Sequence, residues 1–196
     1  MNTHLKSLIV SVGVGLSGIA GGGSWAQVTN YETEGNLEVT HDIGCVDSGG
    51  LKNVYSPADL YKGLAKCIND GTSERGVLLF ALAGVYGTYD TLRVADPTAH
   101  QATTVLRMTY LDSIDESQKL PFINKLKGIL ATPDGLKNIC SEVRKIGAPT
   151  YFPRYMIQHG MKAVLDDIPK DGLITGFDSE SAWEKSLDSY LHCPGA

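Results

Sequence analysis

The sequence contains no C-x-x-C pair and no H-E-x-x-H, and its histidines never gather three ligands at helical spacing. Dithiol exchange needs two thiols one turn apart, and zinc needs ligands converging from neighbouring turns. No metal and no cofactor is therefore expected. A long apolar run is missing too. Ser7–Ala20 is apolar or small throughout, but it is short and glycine-rich for a membrane span. Basic residues are scarce: 17 Lys and Arg stand against 22 Asp and Glu, a net charge of −5. Nucleic-acid affinity comes largely from basic side chains meeting phosphates, so nucleic acid is not an expected partner. The acidic balance suits a protein that meets a basic partner.

What is present begins with "MNTHLKSLIVSVGVGLSGIAGGGSWAQ". Lys6 supplies a positive start, an apolar stretch follows, and Ser24-Trp25-Ala26 places small residues at the positions a signal peptidase reads. The expectation is a secretory signal over residues 1–26, cleavage before Gln27, and a periplasmic or secreted protein with no stable membrane insertion afterwards. Gly13, Gly15 and Gly18 spell G-x-G-x-x-G, but a dinucleotide fingerprint needs a strand before it and a helix after it. About 170 residues remain, enough for one domain with a real core. Residues 27–54 are polar and read as an extended arm, with a short strand conceivable around Leu37–Thr40. Residues 55–196 read as a single helical domain.

All four cysteines, Cys45, Cys67, Cys140 and Cys193, follow the leader. An even count in an exported chain implies two disulfides. Three pairings are open. Cys67–Cys140 with Cys45–Cys193 is the one that would tie the two ends of the domain together.

From Ser56 onward the pattern is helical. Ser56-Pro57, Asp96-Pro97 and Thr132-Pro133 each put a capping oxygen before a proline, whose missing N–H costs nothing in a first turn. Apolar stripes follow each start: Leu60, Leu64, Cys67 and Ile68; Ala102, Val105 and Leu106; Leu136, Ile139, Cys140 and Val143. Gly71 and Gly147 are the expected stops. Val77–Tyr86 is apolar on nearly every side, as a central buried helix requires. "ESQKLPFINKLKGIL" and "SAWEKSLDSYLHC" add two more helices, the second capped by Asp178 or Ser179. The expected fold is all-α, about seven helices in antiparallel hairpins, stapled by disulfides, with "IPKDGLITGFD" as a long loop.

The three proline starts lie 40 and 36 residues apart, within the range of helix-pair repeats. Tyr61, Leu64, Ala65, Ile68, Gly71, Val77, Ala81 and Gly84 resemble a tetratricopeptide or Sel1-like hairpin over about 30 residues. Phe80 is out of step, and Tyr89 stands where the terminal proline of a tetratricopeptide repeat belongs. The resemblance implies an irregular tetratricopeptide-like bundle.

Four constellations bear on chemistry. "CVDSGGL" resembles the nucleophile strand of chymotrypsin-like proteases, which implies Ser48 as nucleophile. The histidine and aspartate of that family lie far upstream on a β-barrel, and here only His41 and Asp42 precede Ser48 closely. A tight glycine turn after a disulfide cysteine accounts for it. Glycosidases need two carboxylates across a cleft. Most acidic residues here sit at helix starts, where they complement the helix dipole. "GVYGTYDTLRVADPTAHQ" gathers Tyr86, Tyr89, Asp90, Arg93 and His100 between two helices. Tyrosine and arginine anchor binding surfaces, and they also build interior polar networks at helix junctions. "APTYFPRYMIQHGMK" adds Arg154 and His159, with Tyr155 and His159 four residues apart on one face.

No catalytic motif is complete, which ranks an enzyme last among the function classes. The expected class is a non-catalytic protein-binding module. Its format looks like that of periplasmic immunity proteins, small exported helical chains that neutralise secreted toxins. A tetratricopeptide-like envelope adaptor and a small cell-envelope hydrolase are the alternatives. Tyr86, Tyr89, Arg93, His100, Arg154 and His159 are the candidate binding residues.

Overall fold

The structure, a computed structural model, describes residues 32–194; the expected leader lies outside the described residues. Among the described residues eight α-helices follow in order: α1 Pro57–Asn69, α2 Ser73–Arg93, α3 Ala102–Asp112, α4 Glu116–Leu130, α5 Pro133–Ile146, α6 Arg154–Ile157, α7 Met161–Val164 and α8 Ser179–Ser186. No β-strand occurs among the described residues; the stretch around Leu37–Thr40 holds a turn and irregular backbone instead. The fold is all-α.

The three proline starts cap as their chemistry requires. Ser56 and Asp59 exchange bonds in a capping box, with Ser56 N donating to Asp59 Oδ2 at 2.8 Å. Asp96 caps a 3-10 turn over Pro97–Gln101 that runs into α3. Thr132 Oγ1 accepts from Gly135 N at the start of α5. Gly71 (φ 77°) and Gly147 (φ 89°) end α1 and α5 in a backbone region that favours glycine. Asp178 caps α8, which closes in a π-turn over Leu187–Leu191. Pro121 falls inside α4, beyond its first turn, where it removes one backbone bond without ending the helix.

α2 is the spine, with α1, α3, α4, α5 and α8 packed around it. Its Gly76–Leu79 and Ala81–Gly87 are buried. The three-residue connection between α1 and α2 and their extensive contact are compatible with a hairpin. Phe80, out of step with the helical-hairpin pattern, packs edge-on between Tyr61 and Phe122 with ring centroids 6.2 Å from each. Small residues on α2 admit neighbours: a β-carbon on Gly84 would fall within the Tyr190 ring.

The disulfides pair Cys45 with Cys67 and Cys140 with Cys193, correcting the pairing that joins the two ends of the domain. The physical reason is proximity along the fold. The arm lies on α1, so Cys45 meets Cys67. The chain end returns to α5, where Arg144 also holds Glu184 at 2.7 Å and the Pro194 carbonyl at 3.2 Å.

Candidate functional site

The arm docks along one stripe of α1. Asp59, Gly63 and Cys67 are spaced four residues apart and so share a face. Asp59 Oδ1 accepts from the backbone N–H groups of Thr40 (2.7 Å) and His41 (2.8 Å), while its Oδ2 closes the capping box. One fully buried carboxylate thus starts a helix and clamps the arm. One turn on, Gly63 lets the arm approach: a β-carbon there would stand 2.8 Å from the Gly44 carbonyl oxygen. A further turn on, Cys67 bonds Cys45. Arm and helix therefore run side by side for two turns.

The arm's earlier part is held by α6. Arg154 pairs with Glu34 at 2.9 Å and Glu38 at 3.7 Å. His159 Nδ1 bonds Asn36 Oδ1 at 2.8 Å, and partial burial lowers the histidine's pKa below its ordinary value. Leu37 N donates to the Tyr155 carbonyl, and Thr33 Oγ1 to that of Gln158. Arg154 and His159, which the sequence places in a candidate binding segment, both contact the chain's own arm.

The second cluster is interior. Asp90 is fully buried and accepts from Arg93 Nε (2.8 Å), Tyr151 Oη (2.8 Å) and Tyr155 Oη (2.7 Å). Arg93 Nη2 lies 2.7 Å from the same Asp90 oxygen as Nε, an ionic contact without hydrogen-bond alignment. The guanidinium is packed by the Tyr89 and Tyr151 rings, each centroid 5.1 Å away. Burial pushes the Asp90 carboxyl up, against the pull of Arg93 and the two hydroxyls. Burial works against the Arg93 charge, and Asp90 more than restores it. Burial and the neighbouring carboxylate hold Tyr151 and Tyr155 well above the ordinary phenol value. Tyr86, also buried, donates to the Gly147 carbonyl at 2.8 Å. His100 Nε2 bonds the Val94 carbonyl at 2.9 Å.

Of the six candidate residues, Tyr86, Tyr89 and Arg93 thus lie in the interior and His100 at its edge, while Arg154 and His159 sit on the arm. The structure adds three residues outside that candidate set: Asp59, Tyr151 and Asp90. Asp59 had a signal, the capping-box spacing after Ser56. The convergence of Tyr151 on Asp90 across 61 residues had none.

Ser48 begins a one-turn 3-10 helix over Ser48–Gly50, closed by Asp47 accepting from Gly50 N. Among the described residues, no group of three His, Cys, Asp or Glu side chains is arranged to hold a metal, and no helix is long and apolar enough to cross a membrane. The two disulfides fit an oxidising compartment. Phe152 is the exception among the aromatic residues of its segment. Tyr151 and Tyr155 turn inward, whereas the Phe152 ring is 54% exposed beside Arg154. No family model, curated protein or solved structure matches the chain.

Proposed function

We propose that the chain is an exported, non-catalytic protein-binding module that acts in the periplasm or outside the cell, where an immunity protein covers a secreted toxin or effector. The observation that carries this reading is Phe152. It is a large ring held out to solvent, on a segment secured to Asn53 through Thr150 N and flanked by Arg154. An aromatic beside an arginine on a rigid support is hot-spot composition. Side chains that suit catalysis are engaged elsewhere: Asp90 with three donors, His159 with Asn36, His41 with Asp59. A role in covering a partner asks for a presented surface rather than a reactive group.

The test is capture of a partner by the tagged mature chain from envelope extracts, with Phe152→Ala and Arg154→Ala beside the native protein. The expected result is a stoichiometric partner whose affinity falls about tenfold or more with Phe152→Ala, as for a hot-spot residue. Undiminished capture by Phe152→Ala, or no stoichiometric partner at all, overturns the reading. Protection of cells that co-express the captured partner then separates an immunity protein from an envelope adaptor.

A further inference from the structure

Arg154, offered beside Phe152 to a partner, is already occupied by the chain's own arm. Its guanidinium holds the Glu34 carboxylate at 2.9 Å and the Glu38 carboxylate at 3.7 Å. The turn that carries Glu34 is shaped to the arginine. Gly35, at φ 90°, lies so close that a β-carbon there would stand 2.7 Å from Arg154 Nε. Around this pair Thr33 Oγ1 donates to the Gln158 carbonyl, Leu37 N donates to the Tyr155 carbonyl at 3.1 Å, and Asn36 Oδ1 bonds His159 Nδ1 at 2.8 Å. Glu38, Thr40, Phe152, Arg154 and Tyr155 border one cavity of about 30 Å³, so the arm and the exposed ring face the same space.

The arm is held unequally along its length. Behind Val39 it is locked: Thr40 N and His41 N donate to the fully buried Asp59 carboxylate, and Cys45 is bonded to Cys67. Ahead of Val39 its charges meet in water. The Glu34 side chain is 93% exposed, and those of Glu38 and Arg154 are each 47% exposed. Ion pairs at such exposure hold weakly. None of the residues from Glu32 to Glu38 is buried. Leu37, a non-glycine residue, is bent to φ 53°, a left-handed conformation that its β-carbon disfavours and that lifting the segment would relieve. Segments with few buried contacts and exposed bonds open well below the threshold of global unfolding.

We propose that residues 33–38 form a strap that lifts from α6 about Val39 without unfolding the domain, and that a partner reaching Arg154 on the Phe152 face displaces it. Closed, the strap lowers partner affinity by occupying Arg154 itself, because a site open only part of the time binds in proportion to its open fraction. This control rests on the protein-binding reading above, since only a bound partner competes with Glu34 and Glu38 for the arginine.

The test starts from amide hydrogen exchange in the disulfide-bonded mature chain. The Leu37 N–H, bonded to the Tyr155 carbonyl, is expected to be protected at least about tenfold less than the Thr40 and His41 N–H groups on Asp59. A Glu34→Gln/Glu38→Gln variant, altered only at exposed positions, should lower the Leu37 protection about threefold further, leave Thr40 and His41 unchanged and melt like the native protein. Equal protection of Leu37 and Thr40, or a Leu37 protection indifferent to the two glutamines, overturns the strap. In capture from envelope extracts the glutamine variant is expected to hold the partner about threefold more tightly than the native chain. Capture at unchanged or lower affinity removes the strap's control of the site and leaves the protein-binding reading standing. Failure of capture by the native chain removes that reading and the control with it, while the exchange data still decide whether the strap lifts.

Discussion

Tyr155 donates its hydroxyl to Asp90 Oδ2 at 2.7 Å across 65 residues of sequence, and both side chains are buried. That bond closes a network in which one carboxylate holds an arginine and two tyrosines. Asp90→Ala leaves the Arg93 guanidinium buried without its counter-charge, and breaking a buried pair from one side costs about 3–5 kcal/mol. Tyr155→Phe and Tyr151→Phe each remove one donor to a charged acceptor, at about 1.5–3 kcal/mol. Urea unfolding of the three variants checks the order. An Asp90→Ala cost no larger than that of either phenylalanine variant contradicts an ionic core.

Gly84 and Tyr190 form the second test. In an exposed helix Gly→Ala stabilises by about 1 kcal/mol. Here the new methyl falls within the Tyr190 ring, so Gly84→Ala is expected to destabilise by about 1–3 kcal/mol. In a Tyr190→Ala background the same change should lose most of that penalty. Thermal melts of the four proteins give the coupling, and simple additivity would show that the ring does not rest on Gly84.

The disulfides should differ modestly in weight. Cys45–Cys67 spans 22 residues and Cys140–Cys193 spans 53, so chain entropy assigns them about 3 and about 4 kcal/mol. Removing the first as a Cys45→Ala/Cys67→Ala pair also frees the arm below Asp59. Limited proteolysis should then cut within residues 42–56 while α2 stays protected. Equal protection of the arm with and without the disulfide would mean that Asp59 and Gly63 hold it alone.

Asp96 supplies the pH dependence. Burial raises its pKa, but bonds from the Lys162 N–H and from Thr98 outweigh burial and hold it below its ordinary 3.8. The unfolded carboxylate takes up its proton first as pH falls. The contribution of Asp96 is therefore complete above pH 3.8 and is lost as pH drops below that value, through the lower folded pKa. Asp96→Asn keeps a capping oxygen and cannot titrate. Its unfolding free energy, followed from neutral pH to below 3.8, should fall less steeply than that of the native protein. Parallel slopes would remove Asp96 from the acid response.

The legible parts of the fold were local. Proline after a capping residue marked the starts at Ser56, Asp96 and Thr132, and glycine marked the ends at Gly71 and Gly147, because caps and left-handed turns use neighbours in sequence. The candidate site was less legible. Arg93 and Arg154 look alike in sequence, an arginine among tyrosines. One is sealed against Asp90, while the other reaches the solvent side of the arm to Glu34. Arg93 has its deciding partner three residues away in its own segment, whereas that of Arg154 lies 120 residues away, where no local pattern points to it.

By itself the sequence determined the all-α class, the helix starts and the central buried span of α2, since each follows from periodicity, capping chemistry and composition over a few turns. Only the tertiary structure decided the disulfide pairing, the role of Asp59 as a clamp on the arm, and the inward turn of Tyr151 and Tyr155. Those depend on which surfaces meet after the chain folds back, and the same apolar stripes and charges are consistent with more than one such meeting.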